Sequence, residues 1–281
     1  METVAIVGVG LIGGSFALGL RWCGFKGRII GVSSQETLER ALRLGVIDGG
    51  MPLERAVGKA DLIYLAQPVG VILATIPKLA QSMKPGALVT DCGSTKRKIV
   101  EAARAYLPPA SFLGGHPMAG KETSGVASAE AKLFANRPYL LTPAEGDIPM
   151  DDPRVESLVY WIKAMGAKVY TMPAETHDDI VAAVSHVPQL LSTGLALSLA
   201  QHERSALTVS CAGPGLTDMT RLAQSPYEMW RDILDTNADS IAIELDRVIE
   251  KLRALRAKLT PPTLEAEFTE ASHYAASITK R

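Results

Sequence analysis

One short segment, GVGLIG at residues 8–13, limits what this chain can fold into more than any other part of the sequence. It is a GxGxxG sequence that follows an apolar, β-branched run at residues 4–7 and precedes a helical pattern at residues 14–22. In that setting the first glycine permits a tight turn, the second lets the backbone approach a pyrophosphate, and the third lets helix and strand pack closely. A glycine-rich turn without a ligand is the alternative. The segment predicts a dinucleotide site formed by Gly8, Gly10, Leu11, Ile12 and Gly13.

Short apolar runs alternate with helical patterns through the first 172 residues. The runs are predicted to be strands at residues 4–7, 28–32, 61–66, 87–91, 112–115, 139–142 and 168–171. Near-continuous apolar strands are typical of a parallel sheet with helices on both faces, because neither face of such a sheet meets water. The predicted class is α/β, with a doubly wound sheet in an N-terminal domain at residues 1–172.

After Pro173 the strand signals stop, and helical periods run nearly to the C-terminus. We expect an apolar helix at residues 176–201 that Pro188 interrupts, and a short helix at residues 216–223. The last long helix carries a heptad seam of apolar residues, which are Ile241, Leu245, Val248, Leu252, Leu255 and Leu259. Such a seam requires a partner helix. Residues 173–281 are therefore predicted to form an all-helical domain through which the chain forms a homodimer.

The composition excludes some classes of function. With 281 residues, 47% of them hydrophobic and 21% charged, the chain resembles an average globular protein of two domains. There are 29 Lys and Arg against 30 Asp and Glu, so no basic excess indicates a nucleic-acid partner. The most apolar stretch, residues 62–80, is interrupted by prolines and a lysine, and we expect no membrane span. The cysteines show no paired spacing, so we expect neither a disulfide nor a bound metal, and a cytoplasmic location.

The end of the second predicted strand bears on the choice of dinucleotide. An Asp or Glu at that point would accept hydrogen bonds from the adenosine ribose and repel a 2′-phosphate. The chain has Ser33 and Ser34 instead, whose hydroxyls could donate to a phosphate, although no arginine follows to bind it. We therefore expect NAD or NADP, with a slight preference for NADP. Gln67 and Pro68, which follow the strand at residues 61–66, are also expected at the cofactor site.

His116 lies in the segment GGHPMAG, directly after a predicted strand. Open α/β sheets bind ligands at the carboxyl ends of their strands, and glycines beside the histidine let the backbone approach a ligand closely. A neutral imidazole there can accept a proton near pH 7, whereas a loop histidine that only packs is the alternative. Ser94 follows a neighbouring strand and could hydrogen-bond nicotinamide and substrate, or cap a helix. Glu122 could control access to the site or orient a base, although a solvated loop carboxylate is its simpler interpretation.

The helical half supplies further polar candidates. Ser185 and His186 precede Pro188, whose missing N–H leaves a backbone acceptor free near them, although His186 could equally be a buried core histidine. Trp230 could serve core or dimer packing. No role is assigned to the remaining histidines, which are His177, His202 and His273.

Arg221 follows a Gly-Pro-Gly turn at residues 213–215. A guanidinium in this position could bind a substrate carboxylate through two parallel hydrogen bonds. An ion pair with Asp218 or Asp232 is the alternative.

Five segments, in the same order, resemble the prephenate/arogenate dehydrogenase family of tyrosine biosynthesis: GVGLIGGS, DCGSTK, GGHPMAGKETSG, SHVP and TDMTRLAQSPYEMWRDI. The resemblance runs from residue 4 to about residue 237. It implies a Rossmann domain followed by a helical dimerisation domain. It also implies oxidative decarboxylation of prephenate or arogenate to 4-hydroxyphenylpyruvate or tyrosine, with hydride transfer to NAD(P)+.

The resemblance further implies roles for individual residues. His116 would be the catalytic histidine that hydrogen-bonds the ring hydroxyl, and Ser94 would lie between this histidine, the substrate and the nicotinamide. Glu122 would be a gating carboxylate. Arg221 would bind the carboxylate on the substrate ring.

Four more residues of the helical half are implied in the substrate pocket. Ser185 and His186 would line it, and Trp230 would reach the pocket of the partner subunit. Gln189 stands where some members of the family have a histidine, near the side chain of the substrate. The choice between prephenate and arogenate therefore stays open.

Two other functions stay open as well. Another two-domain Rossmann dehydrogenase, of the hydroxyacid or ketopantoate type, would share the architecture. Those enzymes typically use a lysine of the second domain, and residues 176–201 contain none. A nucleotide-sensing module without catalysis would not need His116 beside Ser94 together with Arg221.

Overall fold

The structure is a computed structural model that describes residues 1–143, 148–261 and 263–279. Within these residues, eight strands form one sheet: β1 (Thr3–Val7), β2 (Arg28–Val32), β3 (Gly49–Gly50), β4 (Leu62–Leu65), β5 (Leu88–Asp91), β6 (Phe112–Pro117), β7 (Pro138–Thr142) and β8 (Lys168–Thr171). Their order across the sheet is β3-β2-β1-β4-β5-β6-β7-β8. The first six run parallel, β7 is antiparallel to β6, and β8 is parallel to β7. The order 3-2-1-4-5-6 is that of a doubly wound sheet, so the predicted α/β class is confirmed.

Helices cover both faces of this sheet, because the residues of each strand alternate between two apolar cores. In β1, Val4 and Ile6 belong to one core, and Ala5 and Val7 belong to the other. Six helices follow the strands: α1 (Leu11–Trp22), α2 (Gln35–Arg43), α3 (Leu53–Val57), α4 (Val69–Leu79), α5 (Arg97–Tyr106) and α6 (Pro153–Ala164). Helices α1, α2 and α6 cover the first core, and α3, α4 and α5 cover the second.

The seven predicted strands are present, each within two residues of its predicted ends. The strand that the sequence did not predict is β3, which consists of two glycines paired with Ile30 and Gly31 of β2. Glycine has no side chain that could show an apolar pattern. The pair therefore resembles a turn in the sequence.

The regular elements among the described residues after β8 are helices: α7 (Ala174–Val181), α8 (Val187–Ala200), α9 (Ser205–Ser210), α10 (Pro214–Thr220), α11 (Tyr227–Thr236), α12 (Ala238–Ala257) and α13 (Glu265–Thr279). A 3-10 turn, Arg221–Gln224, follows α10 directly. The predicted interruption at Pro188 is wrong. A π-helical turn, Ala182–His186, joins α7 to α8 without a break, and Pro188 lies in the first turn of α8. Proline is tolerated there, because the widened turn before it removes the clash that an α-helical turn would produce.

The run Ala174–Ala200 is the one helical stretch among the described residues that is long and apolar enough to cross a membrane by length and composition. Only 33% of its most apolar window is buried. His177, Asp178 and His186 of the same run are buried in hydrogen-bonded contacts with other elements. These contacts are those of a helix that belongs to the folded body, and its exposed apolar residues form an uncovered surface.

The heptad seam follows α12 outward from the rest of the chain. Ile241 is buried, whereas Leu252 is 54% exposed and Leu259, which lies beyond the end of α12, is 59% exposed. Leu245, Val248 and Leu255 are half-buried, so only part of the seam is left uncovered within the described part of a single chain.

Polar side chains of the helical half bind the carboxyl edge of the sheet. Asp232 of α11 accepts a hydrogen bond from the N–H of Gly70, at the start of α4, over 2.9 Å. The hydroxyl groups of Thr95 and Thr236 lie 2.7 Å apart. Arg97, the first residue of α5, binds the carboxylates of Asp178 and Asp239. These contacts place the helical half directly over the edge where the sequence predicts the site.

Candidate active site

The glycine-rich turn between β1 and α1 has the geometry that a pyrophosphate needs. Gly8 has a positive φ of +100°, and a Cβ there would overlap the Ala66 carbonyl oxygen. A Cβ at Gly13 would overlap the Gly8 carbonyl oxygen, so the helix could not approach the strand. At Gly10, in contrast, a Cβ would meet no atom within 4 Å. Among the described residues no side chain caps α1 at Gly10, so the first N–H groups of α1 have no side-chain acceptor and can bind an anion.

Of the four residues predicted at the cofactor site after β2 and β4, two are engaged by neighbours. The Ser34 hydroxyl accepts from the Thr37 N–H over 3.4 Å and bonds the Thr37 hydroxyl over 2.9 Å, so it is the N-cap of α2. Ser33 is exposed. Gln67 accepts a hydrogen bond from Thr75, and Pro68 is the residue before α4.

His116 ends a hydrogen-bonded chain of three buried side chains. It lies on β6 and is 8% exposed, and its Nδ1 lies 2.9 Å from Nε2 of His177 on α7. Nδ1 of His177 lies 2.7 Å from the carboxylate of Asp178. His177 had no predicted role, because it lies in no recognised motif.

The carboxylate at one end of this chain fixes where each proton lies. Asp178 can only accept, so His177 carries its hydrogen on Nδ1. Burial is the main reason that the pKa of His177 lies below its usual value, so this ring is neutral and its Nε2 accepts. His116 must then donate from Nδ1, which leaves its own Nε2 without a proton. No described residue hydrogen-bonds that nitrogen, which makes it the free base of the site.

The electrostatic surroundings keep His116 neutral. Burial lowers its pKa well below 6.5, and His177, Lys96 and His186 lower it further in that order. Burial raises the pKa of Asp178, but hydrogen bonds from His177 and from the backbone N–H of Arg97 more than compensate, so Asp178 is ionised.

Asp178 also caps the N-terminus of α5 from outside that helix. It accepts from the N–H groups of Lys96 over 2.7 Å and of Arg97 over 2.9 Å. The alternative that Ser94 caps this helix is therefore wrong, because α5 begins at Arg97 with Lys96 in the N-cap position. The Ser94 hydroxyl has no hydrogen-bond partner among the described residues and is available to a ligand.

The glycines before His116 do not serve the purpose that the sequence suggested. We expected them to bring the backbone close to a ligand. A Cβ at Gly115 would lie 2.7 Å from the Asp91 carbonyl oxygen, and a Cβ at Gly114 would overlap the Thr142 hydroxyl. Both glycines therefore allow β6 to pack closely against its neighbouring strands.

His186 combines a core position with a place beside the site. It is 1% exposed, its Nδ1 lies 3.3 Å from Asn237 Nδ2, and its ring meets Trp230 edge-to-face with centroids 5.9 Å apart. Burial lowers its pKa to about 4. Ser185 lies on the same π-helical turn and is partly exposed. Trp230 Nε1 is buried without a hydrogen-bond partner among the described residues.

The structure brings Arg221 and Glu122 together from the two halves. Arg221 Nη1 lies 3.6 Å from Glu122 Oε1, and the side chains are 59% and 86% exposed. The predicted alternatives for Arg221, an ion pair with Asp218 or Asp232, are wrong. Such an exposed, loose pair contributes little to stability and can open for another carboxylate.

Gln189 is buried one turn after His186. Its Nε2 donates to the Leu222 carbonyl over 2.8 Å and to the Thr193 hydroxyl over 3.3 Å. Both amide hydrogens are thus used. Its Oε1 is buried and has no partner among the described residues.

Comparisons with known proteins agree with this geometry. Residues 16–171 match the family model described as prephenate dehydrogenase, nucleotide-binding domain, and residues 173–271 match prephenate dehydrogenase, dimerization domain. Prephenate dehydrogenase of Bacillus subtilis is 38% identical over 260 residues, which are 91% of this chain and 69% of that protein.

Two solved structures resemble the whole chain. Prephenate dehydrogenase from A. aeolicus, in complex with hydroxyphenyl propionate and NAD+, has a TM-score of 0.89 and 31% identity over 100% of this chain and 98% of that one. Synechocystis arogenate dehydrogenase has a TM-score of 0.83 and 30% identity over 99% of both chains. By its matched domains, its full-length structural likeness and the motifs at the carboxyl edge of its sheet, the chain belongs to the prephenate dehydrogenase family.

Proposed function

We propose that this protein catalyses the NAD(P)-dependent oxidative decarboxylation of prephenate or arogenate, a reaction of tyrosine biosynthesis. The observation that carries the proposal is the chain Asp178–His177–His116, because it presents an unprotonated imidazole nitrogen at the carboxyl edge of a dinucleotide-binding sheet. The reaction requires a base that removes a proton from the ring hydroxyl.

The residues at the glycine-rich turn fit the pyrophosphate of the cofactor. Open space at Gly10 and the uncapped start of α1 support this assignment. We propose that the cofactor is bound by Gly8, Gly10, Leu11, Ile12, Gly13, Ser33, Ser34, Gln67, Pro68 and Ser94. When bound, the nicotinamide supplies the acceptor for the hydrogen at C4 of the substrate, together with its electron pair.

His116 is proposed as the catalytic base. Its Nε2 accepts the proton of the C4 hydroxyl, and the C4–O bond becomes a carbonyl. The C1 carboxylate then leaves as CO2, the electrons of the broken bond complete the aromatic ring, and the C4 oxygen becomes a phenolate that takes the proton back from His116. His177 and Asp178 keep the His116 ring in the tautomer that can accept, and Ser94 hydrogen-bonds the substrate and the nicotinamide.

Arg221 is proposed to bind the ring carboxylate of the substrate in place of Glu122. The 3.6 Å separation and high exposure of the pair support an exchange of partners at the mouth of the site. Arg221 contributes to binding more than to rate, because it holds the group that departs. Ser185, His186 and Trp230 are proposed to line the pocket.

The free acceptor on Gln189 favours a substrate with an ammonium group. Because its Nε2 is committed to Leu222 and Thr193, only Oε1 can meet the substrate side chain. An ammonium group donates to such an oxygen, whereas a keto oxygen cannot. We propose arogenate as the preferred substrate and prephenate as the weaker one.

The cofactor choice rests on the end of β2. No carboxylate at Ser33 or Ser34 would repel a 2′-phosphate, and the Ser33 hydroxyl is exposed. The Ser34 hydroxyl is occupied as the cap of α2, which weakens the predicted preference for NADP. We propose that the enzyme uses NAD and also accepts NADP.

The helical half bears on where the domains divide and on how the protein assembles. We propose a boundary at residue 172, which the two family-model matches support because one ends at residue 171 and the other begins at residue 173. A homodimer would cover the exposed part of the seam of α12. The free cysteines Cys23, Cys92 and Cys211 support a reducing, cytoplasmic location.

The decisive experiment is a two-by-two activity matrix of prephenate and arogenate against NAD and NADP, read by the absorbance of the reduced nicotinamide. We expect the protein to oxidise arogenate with both nucleotides. In the variant His116→Asn, kcat should fall by a factor of about 10²–10⁴. A variant of the unassigned surface residue His202, His202→Asn, is the matched control. Turnover of neither substrate by the folded protein would contradict the proposal.

A further inference from the structure

A fully buried ion pair contacts the backbone of Gly115, the residue before His116. Asp91 is the last residue of β5 and Lys96 precedes α5, and both side chains are 0% exposed. Lys96 Nζ bonds the Asp91 carboxylate and donates to the Gly115 carbonyl over 2.8 Å. Asp91 Oδ1 accepts from the Gly115 N–H over 3.1 Å. The pair thus binds both backbone groups of the residue that precedes His116.

These bonds take the place of backbone hydrogen bonds, because the pairing between β5 and β6 stops before Gly115. The β5–β6 ladder ends at the pair Thr90–Leu113, before the strand reaches His116. Beyond that point the Asp91 and Lys96 side chains occupy the place of a neighbouring strand. On its other edge β6 stays paired with β7 through Gly115–Leu141 and His116–Leu140. The backbone at His116 is therefore fixed on one side by the sheet and on the other by the ion pair.

The two glycines of β6 show how closely this arrangement is packed. A Cβ at Gly115 would lie 2.7 Å from the Asp91 carbonyl oxygen, and a Cβ at Gly114 would lie 3.5 Å from Cδ of Lys96. A side chain at residue 115 would therefore move β6 relative to β5.

Stability alone does not explain a buried pair of this kind. Apolar residues of the same volume are often as stabilising, because removing two charges from water costs about as much as their attraction returns. The charge of Lys96 does act on the histidine. The groups that face His116 are His177 with Asp178 behind it on α7, His186 on the π-helical turn, and Lys96 with Asp91. Burial contributes most to the low pKa of His116, and among the described residues Lys96 is the one permanent cation that lowers this pKa further.

We propose that Lys96 and Asp91 are positioning residues for the base: they fix the Gly115 backbone, and the Lys96 ammonium opposes a lasting positive charge on His116. His116 is then aligned and neutral when substrate binds, and it returns its proton after turnover. This inference rests on the proposed function, in which His116 is the base.

The test uses the double variant Asp91→Asn/Lys96→Met, which removes both charges together and leaves no unpaired ion in the interior. The matched control is Asp61→Asn/Lys84→Met, which removes a Lys–Asp pair at the surface, remote from His116. In kcat/KM against pH, the acid limb of the double variant should move measurably upward, because the variant removes the Lys96 ammonium, which lowers the pKa of His116. The control should keep the wild-type profile.

A second readout needs no turnover. In a histidine 15N NMR titration of the cofactor-free protein, the His116 midpoint should rise in the double variant and stay in place in the control. An acid limb and a midpoint that both match the wild type would overturn the inference. Should the double variant not fold, Gly115→Ala tests the positioning alone, since it moves β6 and changes no charge. We expect kcat to fall at least about tenfold with the acid limb unchanged, and an unchanged kcat would again overturn the inference.

The outcomes separate this inference from the proposed function. A wild-type protein that oxidises neither substrate refutes the function, whatever the titration shows. An active wild type whose variants keep its pH profile, its midpoint and its kcat refutes only the role of the ion pair.

Discussion

Replacing Asp178 with Asn is expected to abolish most turnover by reversing the tautomers of two histidines. Oδ2 of Asp178 accepts two hydrogen bonds from Arg97, from its N–H at 2.9 Å and from its charged guanidinium at 3.2 Å. Oδ1 accepts from the Lys96 N–H at 2.7 Å and from His177. An Asn has only one oxygen, and the charged donor draws that oxygen toward Arg97.

The amide NH2 of the variant then faces His177. Nδ1 of His177 must accept, its proton moves to Nε2, and Nε2 donates to Nδ1 of His116. The proton of His116 is now on Nε2, where the substrate hydroxyl needs an acceptor. A wrong tautomer of this kind costs about 10²–10⁴ in kcat, or about 3–5 kcal/mol in the activation barrier.

The assay is the formation of reduced nicotinamide under saturating substrate, with circular dichroism to verify folding. The matched control is Asp179→Asn, the same change one residue later, where the carboxylate accepts from Ser240 at 2.7 Å and does not touch His177. A folded Asp178→Asn variant whose kcat lies within threefold of the control would refute the reasoning about tautomers.

Three further predictions address binding and stability. Gly10→Ala should raise the KM for the nucleotide at least about tenfold, because the new Cβ projects into the space proposed for the pyrophosphate, and Tm should change little. Gly13→Ala should instead lower Tm, because its Cβ overlaps the Gly8 backbone. Equal effects of the two changes on Tm would contradict this. Arg221→Ala should raise the KM for the substrate and leave kcat nearly unchanged, and a large fall in kcat at constant KM would count against a binding role. Burial lowers the pKa of His186 to about 4. Below about pH 6.5 the unfolded chain therefore binds a proton at His186 that the folded chain does not. The free energy of unfolding should fall from pH 7 to pH 4, and His186 should contribute up to about 3 kcal/mol of this loss. Urea denaturation at the two pH values measures the loss, which should be smaller in His186→Asn; equal losses in both proteins would exclude His186 as its source.

Local patterns in the sequence predict the elements whose cause is local. The GxGxxG turn follows from glycine sterics, and the strands follow from their apolar runs. His116 was marked by its position after a strand. The turn formed by Ala182–His186 was not predictable, because a proline pattern indicates a break and does not show how neighbouring helices absorb it.

The part of the site that the sequence did not indicate consists of contacts between distant residues. His116 and His177 are 61 positions apart, and Lys96 and Asp178 are 82 apart. No spacing rule connects such residues. The one available signal was the adjacent pair His177-Asp178 at the start of an apolar helix, where a buried carboxylate requires donors from elsewhere.

The polar bonds between the halves determine how a substrate reaches the base. Two polar contacts join the helical half to α4 and α5 of the sheet half. One is the hydrogen bond between Asp232 and Gly70, and the other is the ion pair between Asp239 and Arg97. A hinge motion that separated the halves would break both connections at once and remove the hydrogen bonds that Lys96 and Arg97 donate to Asp178. We therefore expect substrate and product to pass on the side of the site where the exposed side chains of Arg221 and Glu122 meet, because among the described residues no such tie joins the halves there.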